Sequence, residues 1–140
     1  MATITSECKE FLLQGTRTGK VATVRADGRA HVVPIWFVMD GDTIVFTTGT
    51  DSVKGKNLRR DGRASLCVDD ETPPFSFATV EGTVTFSEDL NELREWATRI
   101  AARYMGADKA EQFGARNAVP GELLVRLTPT KAVFVKDLAD

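Results

Sequence analysis

The hydrophobic positions change period several times along the chain, and each change marks an element. Near the start, Phe11, Leu12 and Leu13 form an apolar face behind Thr5 or Ser6. Either of those can cap a short helix that stops at Gly15. From Gly19 the period becomes two. Lys20 to Arg25 is rich in β-branched residues and runs into the turn pair Asp27-Gly28. A longer apolar run follows from Arg29 to Val38, with Val33, Ile35 and Phe37 on one face and Val32, Trp36 and Val38 on the other. Apolar residues on both faces predict a strand that is central or covered on both sides. Pro34 sits in its middle and has no N–H for a ladder, so a bulge, an edge or a ligand is expected there.

Asp40-Gly41-Asp42 is a second turn, leading into a strand from Thr43 to Thr48. Asp51 to Arg60 reads as a short helix, capped by Asp51 and ended by Asp61-Gly62. Arg63 to Val68 is another strand. Pro73-Pro74 breaks the chain, and Phe75 to Phe86 alternates cleanly. Ser87 is expected to cap the one long helix, with Glu88 and Asp89 at its positive end. Leu90, Leu93, Trp96 or Ala97, Ile100 and Tyr104 follow at helical spacing as far as Gly106. Ala107 to Arg116 reads as a further short helix. Two last strands, Glu122 to Leu127 and Lys131 to Lys136, are joined by Thr128-Pro129-Thr130. Six or seven strands at this spacing predict a mainly β protein with helices (β+α), a small closed or half-closed antiparallel barrel. The 140 residues suffice for one domain, spanning 1–140, and are too few for two.

Composition narrows the function classes. Hydrophobic residues at 42% and charged ones at 27% mark a globular rather than a disordered chain. The net charge of −2 argues against a nucleic-acid binder, which wants clustered positive charge. No apolar run approaches the roughly 20 residues that span a bilayer, and the first residues lack the basic and apolar regions of a signal peptide. The expectation is a cytoplasmic protein with reduced thiols and no membrane partner. Cys8, Cys67 and the single His31 cannot complete a four-ligand metal cage without carboxylates, so no metal is expected.

Motifs of side-chain catalysis are missing. The chain has no Gly-x-Ser-x-Gly elbow, Walker loop, Gly-x-Gly-x-x-Gly or His-Glu-x-x-His, and a hydrolytic triad would have to run through His31. An enzyme with this sequence would rely on a bound cofactor. Thr47-Thr48-Gly49 runs into a helix start, where hydroxyls of Thr47, Thr48, Thr50 and Ser52 lie near Lys54 and Lys56, with Arg59 and Arg60 just after. Hydroxyls, free helix N–H groups and a lysine suit a phosphate. The same spacing fits a solvated basic helix face equally well. Val32 to Phe37 could lay a flat face against an aromatic ring, although composition also fits a plain core strand. His31 fits a surface or capping role more readily than that of a base.

Four segments together resemble a known family. They are Gly19-Lys20-Val21-Ala22-Thr23-Val24, Asp27 through Phe37 with its Pro34-Ile35-Trp36-Phe37, Ser52 through Asp61 with its Lys54-Gly55-Lys56-Asn57-Leu58-Arg59-Arg60-Asp61, and Val80-Glu81-Gly82. The chain resembles, over about residues 8–136, the flavin/deazaflavin oxidoreductases among the pyridoxamine 5′-phosphate oxidase-like split β-barrels. It resembles in particular the actinobacterial branch that uses the deazaflavin coenzyme F-420. The resemblance implies a homodimer with two cofactor sites at the subunit interface. It places His31, Val32, Val33 and Pro34 along the tricyclic ring, and Thr47, Thr48 and Ser52 around the ribityl-phosphate. Lys54 and Asn57 match phosphate-side residues, and Gly55 lets backbone approach. Phe75, with Ser76, matches a segment that reaches toward the partner's site, and Trp36 and Phe75 are the substrate-binding candidates, for something flat and apolar.

Val53 stands where flavin-dependent oxidases of the wider family often carry an arginine, and no C-terminal Arg/His pair is present for pyridoxal phosphate. Arg59 and Arg60 could instead meet the acidic glutamyl tail of F-420. The activity implied is hydride transfer from reduced F-420 to an electron-poor double bond of a small organic substrate, such as an enone or quinone, with no catalytic side chain. The alternatives are an FMN-binding reductase or oxidase of the same fold, a non-catalytic F-420 carrier, and a barrel that has lost its site.

Overall fold

A proline inside a strand removes one ladder donor, and the fold absorbs this at Pro34 by placing its strand at a sheet edge. The computed structural model describes residues 4–139; Met1 to Thr3, part of the start segment read for a leader, lie outside them. Among the described residues the order is α1 (Ser6–Leu13), β1 (Gly19–Val24), β2 (Ala30–Ile35), β3 (Val38–Asp40), β4 (Thr43–Gly49), α2 (Val53–Arg60), β5 (Arg63–Asp69), β6 (Phe77–Ser87), α3 (Leu90–Met105), α4 (Ala110–Asn117) and β7 (Glu122–Val135). The strands form one antiparallel sheet of seven in the order β2-β1-β5-β6-β7-β4-β3. β2 and β3 are its two edges, yet only Trp36-Phe37 joins them. The sheet therefore curls until its edges meet at that bend, which makes a half-closed barrel. The mixed β+α class expected from the sequence is the one observed.

The long strand expected over Arg29 to Val38 is instead divided at Trp36-Phe37 and is not central. Pro34 pairs with Lys20 on the edge strand, and Val32 beside it is 63% exposed. Both faces are apolar because one looks into the barrel and the other is an uncovered outer face. The bend sends Phe37 into the core while Trp36 stays half outside.

The two strands expected at the end are one, β7. Thr130 is an extra residue where the β6 register shifts between Glu81 and Gly82, and Pro129 faces Gly82. A side chain at Gly82 would overlap the Thr128 carbonyl. Glycine and bulge together let a central strand carry its proline.

Caps differ from expectation in two helices. Thr5 caps α1, its oxygen receiving the Cys8 N–H at 3.2 Å. In α2 the cap is Ser52 rather than Asp51, and Ser52 Oγ accepts the Gly55 N–H at 3.0 Å. In α3 it is Asp89 rather than Ser87, with Asp89 Oδ1 accepting from Asn91 and Glu92 at 2.9 and 3.1 Å. Ser87 instead accepts the Asp89 N–H and donates to the Glu92 carboxylate. α4 begins at Ala110 rather than Ala107, and β6 at Phe77 rather than Phe75, whose φ of 63° takes it out of the strand.

Alternation along β4 connects core to site. Ile44 and Phe46 join Val21, Phe37, Leu66, Val80 and Leu127 inside the barrel, where Leu12 of α1 and Leu58 of α2 also pack. Val45 points the other way, with Leu124, onto Leu93 and Trp96 of α3. α3 thus covers the outer face of β4 and β7, and Thr47 lies on the face it covers.

Candidate functional site

Successive strand residues point to opposite faces, so Thr47 and Thr48 part company. Thr48 follows Ile44 and Phe46 and is buried. Ser52 Oγ donates its one proton to the Gly49 carbonyl at 2.8 Å, so the 2.9 Å contact between the hydroxyls is donated by Thr48. Ser52 also accepts the Gly55 N–H. Both hydroxyls are therefore engaged in building the turn. A side chain at Gly55 would overlap the Gly49 carbonyl, so the backbone that approaches Gly55 is that of its own loop. Asn57 is buried, its Nδ2 donating to Thr23 Oγ1 at 3.0 Å and its Oδ1 accepting from Arg60 at 3.2 Å. Arg60 also donates to the Val24 carbonyl. Of the phosphate-side candidates, Asn57 ties α2 to β1 rather than facing open space.

Lys54 and Thr47 have a different outlook. They line a cavity of about 310 Å³ with Pro34, Ile35 and Trp36 from β2 and its bend. Thr18, Asn117 and, from α3, Ala97, Ile100 and Ala101 complete the lining. The fold thus brings Pro34, Trp36, Thr47 and Lys54 together. Val32 and Val33 point to opposite faces of β2, and His31 pairs with Thr23 on the inner face. His31 Nδ1 is buried and has no hydrogen-bond partner among the described residues.

Phe75 is not brought to this cavity within one chain. It lies in a separate cleft with Lys20, Cys67, Phe77 and Leu138.

Burial pushes the Lys54 ammonium below its usual pKa, while the charge of Glu122 pushes it back up. Glu122 is the mirror case, raised by burial and pulled down by Lys54. Among the described residues no carboxylate comes within salt-bridge distance of Lys54. A partly buried cation without a partner suits an incoming anion. Ser52 occupies the Gly55 N–H, which leaves the first-turn N–H groups of Val53 and Lys54 as further donors. Ile35, Trp36 and Ile100 supply an apolar wall. An anion carried on a flat apolar body matches this donor set.

The wall is fixed from α3. Tyr104 stacks on Trp36 with ring centroids 5.0 Å apart and planes 3° from parallel. Its hydroxyl donates to the Arg17 carbonyl at 2.9 Å and accepts the Phe37 N–H at 3.3 Å. The Arg103 guanidinium donates to the carbonyls of Phe37, Leu12 and Gly15 at 2.6, 2.9 and 3.1 Å. Sequence reading missed these residues, as well as Asn117, Glu122 and the alanines of α3. The helical spacing of Tyr104 marked it only as apolar surface, and small alanines carry no chemical signal. Among the described residues no cluster of metal-ligating side chains is present, and no helix is long and apolar enough to cross a membrane.

A half-closed barrel whose cavity sets one partly buried lysine beside an aromatic-edged strand is the architecture of a split β-barrel. The chain matches the pyridoxamine 5′-phosphate oxidase family over residues 4–136 and belongs to it. A conserved hypothetical protein from Mycobacterium tuberculosis is 26% identical, with 100% of this chain and 90% of that one covered and a TM-score of 0.83. An F-420 reductase is also 26% identical, covering 89% of this chain and 94% of its own, with a TM-score of 0.71. The heme storage protein HutZ from Vibrio cholerae shares the fold at 19% identity, 94% coverage of both chains and a TM-score of 0.72.

Proposed function

We propose that this protein is an F-420-dependent reductase of the flavin/deazaflavin branch, acting as a homodimer on flat, electron-poor organic substrates. The observation that carries this reading is the partly buried, unpaired Lys54 beside Thr47, facing the apolar wall of Ile35 and Trp36. Identity of 26% with an F-420 reductase over most of both chains supports it. Lys54, Thr47 and the first turn of α2 would hold the phosphate, and the Pro34 to Trp36 edge would flank the ring. Bound in its reduced form, the deazaflavin supplies a hydride to an electron-poor double bond. The chain's own part is to bind, orient and exclude water. Ala97 and Ala101 keep room open under α3, and the Tyr104 stack holds Trp36 in one orientation. No side chain is assigned as nucleophile. In the homodimer a second copy covers the exposed outer face of β2 at Val32, and Phe75 approaches the partner's cavity.

FMN is the second reading, favoured by membership of the pyridoxamine 5′-phosphate oxidase family itself. Fluorescence titration with F-420 and, separately, FMN distinguishes them. F-420 should bind more tightly, and Lys54→Ala should weaken it about thirtyfold, as removal of a charge-assisted contact does. Preference for FMN moves the protein to the flavin branch. Tight F-420 binding without turnover of any enone or quinone makes it a carrier.

A further inference from the structure

The β4–β7 register sets a carboxylate on the strand face that carries Thr47, at the margin of the cavity. Thr47 pairs with Leu124 and Gly49 with Glu122, and directly paired residues share a face. Glu122 therefore stands on the face of Thr47, one pair further toward the start of α2. Gly49, opposite it, has no side chain to shield it from that helix. Glu122 and Lys54 act on one another's charge without closing to an ion pair. The cavity's single lining cation is thus already partly offset before any ligand enters.

A phosphomonoester carries about −1.5 to −2 charges near neutral pH, whereas a phosphodiester carries one. Repulsion from a fixed carboxylate grows linearly with ligand charge. We propose that Glu122 is a specificity-determining residue that turns the Lys54 site toward singly charged phosphodiesters and against phosphomonoesters. This rests on the reading that Lys54 anchors a cofactor phosphate. Glu122 discriminates by penalty, since it offers a phosphate nothing to bind and makes the second negative charge costly.

Linearity gives the proposal a quantitative signature. The test titrates the full chain and its Glu122→Gln variant with riboflavin, FMN and the phosphate methyl ester of FMN, which carry no phosphate, a monoester and a diester on the same ring. The pH is about 8, above the second phosphate pKa of about 6. Neutralising Glu122 should tighten the methyl ester about threefold and FMN about tenfold, roughly the square, with riboflavin within about twofold. The FMN gain should shrink in high salt. Equal gains for all three ligands would show a packing change and overturn the proposal. So would an FMN affinity that does not move, or no FMN binding to either protein. An unaltered thermal midpoint establishes that the variant is folded. Failure of the F-420 reading appears separately, as wild-type preference for FMN over F-420 in the cofactor titration, and leaves the FMN-to-riboflavin ratio to judge Glu122.

Discussion

Two sets of polar residues alternate within the segment from Thr47 to Asn57, and the fold uses them for opposite purposes. Thr48, Ser52 and Asn57 close hydrogen bonds to the chain itself. Thr47 and Lys54 face the cavity. Hydroxyl beside hydroxyl, the two sets look alike in sequence. The difference teaches that residue type announces a polar site, while strand alternation and helix phase decide which members remain free for a ligand. The engaged set also builds the turn that presents the free one.

The sharpest way to break this division is Gly55→Ala. The added carbon meets the Gly49 carbonyl, a backbone group that cannot move aside without disturbing the Ser52 cap. Stability should fall by on the order of 3 kcal/mol, read as a lower urea midpoint at unchanged slope. A variant of wild-type stability would show the turn to be loose, and the division with it.

Asn57→Ala comes next in size. It strips the buried Thr23 hydroxyl, 2% exposed, of its amide partner. The loss should be about 2 kcal/mol, the usual cost of orphaning a buried polar group. Cofactor affinity per folded molecule should stay within about threefold, well short of the effect of a lost charge-assisted contact. Lys54→Ala should do the reverse and weaken binding while hardly changing the urea midpoint. Asn57→Ala weakening F-420 as much as Lys54→Ala would merge the two sets.

Much of this architecture was legible in the chain. The missing N–H of Pro34 put an edge among three possibilities, against the central strand that its apolar faces suggested, and the turn glycines, the long helix and the Thr47–Lys54 cluster all stood out. What could not be read depends on partners distant in sequence. Val32 looks like a core residue because an uncovered outer face is as apolar as an interior. Thr128-Pro129-Thr130 reads as a turn, and only the facing Gly82 and the register shift make it a bulge within one strand. Asp51 and Ser52 are both good caps one residue apart, and helix phase chose Ser52. Glu122 gave no signal, because its neighbour Lys54 lies far back in the chain and meets it only through the β4–β7 pairing.

The smallest predicted effect uses that pairing to separate the site's electrostatics from those of the turns. Asp61 is held below its usual pKa chiefly by its hydrogen bond from Arg63, Asp27 by the Arg29 N–H, and Asp70 by the Thr72 hydroxyl. Their stabilising contributions exist above the ordinary carboxylate pKa and disappear as pH falls through the lowered values. Glu122 has the opposite sign. Burial raises it, so the folded state holds its proton more tightly than the unfolded one. Its contribution is complete below about pH 4.3, the ordinary glutamate value, and is lost as pH rises through its raised folded pKa. Glutamine does not titrate, and the aspartate contributions cancel when wild type is compared with Glu122→Gln. The stability difference should therefore grow on acidification from neutral pH and level off below the ordinary value. Solvent screening of a partly exposed group keeps it under about 1 kcal/mol. In a Lys54→Ala background the cation that pulls Glu122 down is gone, so the same rise should begin at higher pH. Urea midpoints across this range in the four proteins decide it: a rise at the same pH with and without Lys54 would mean that the two charges do not meet.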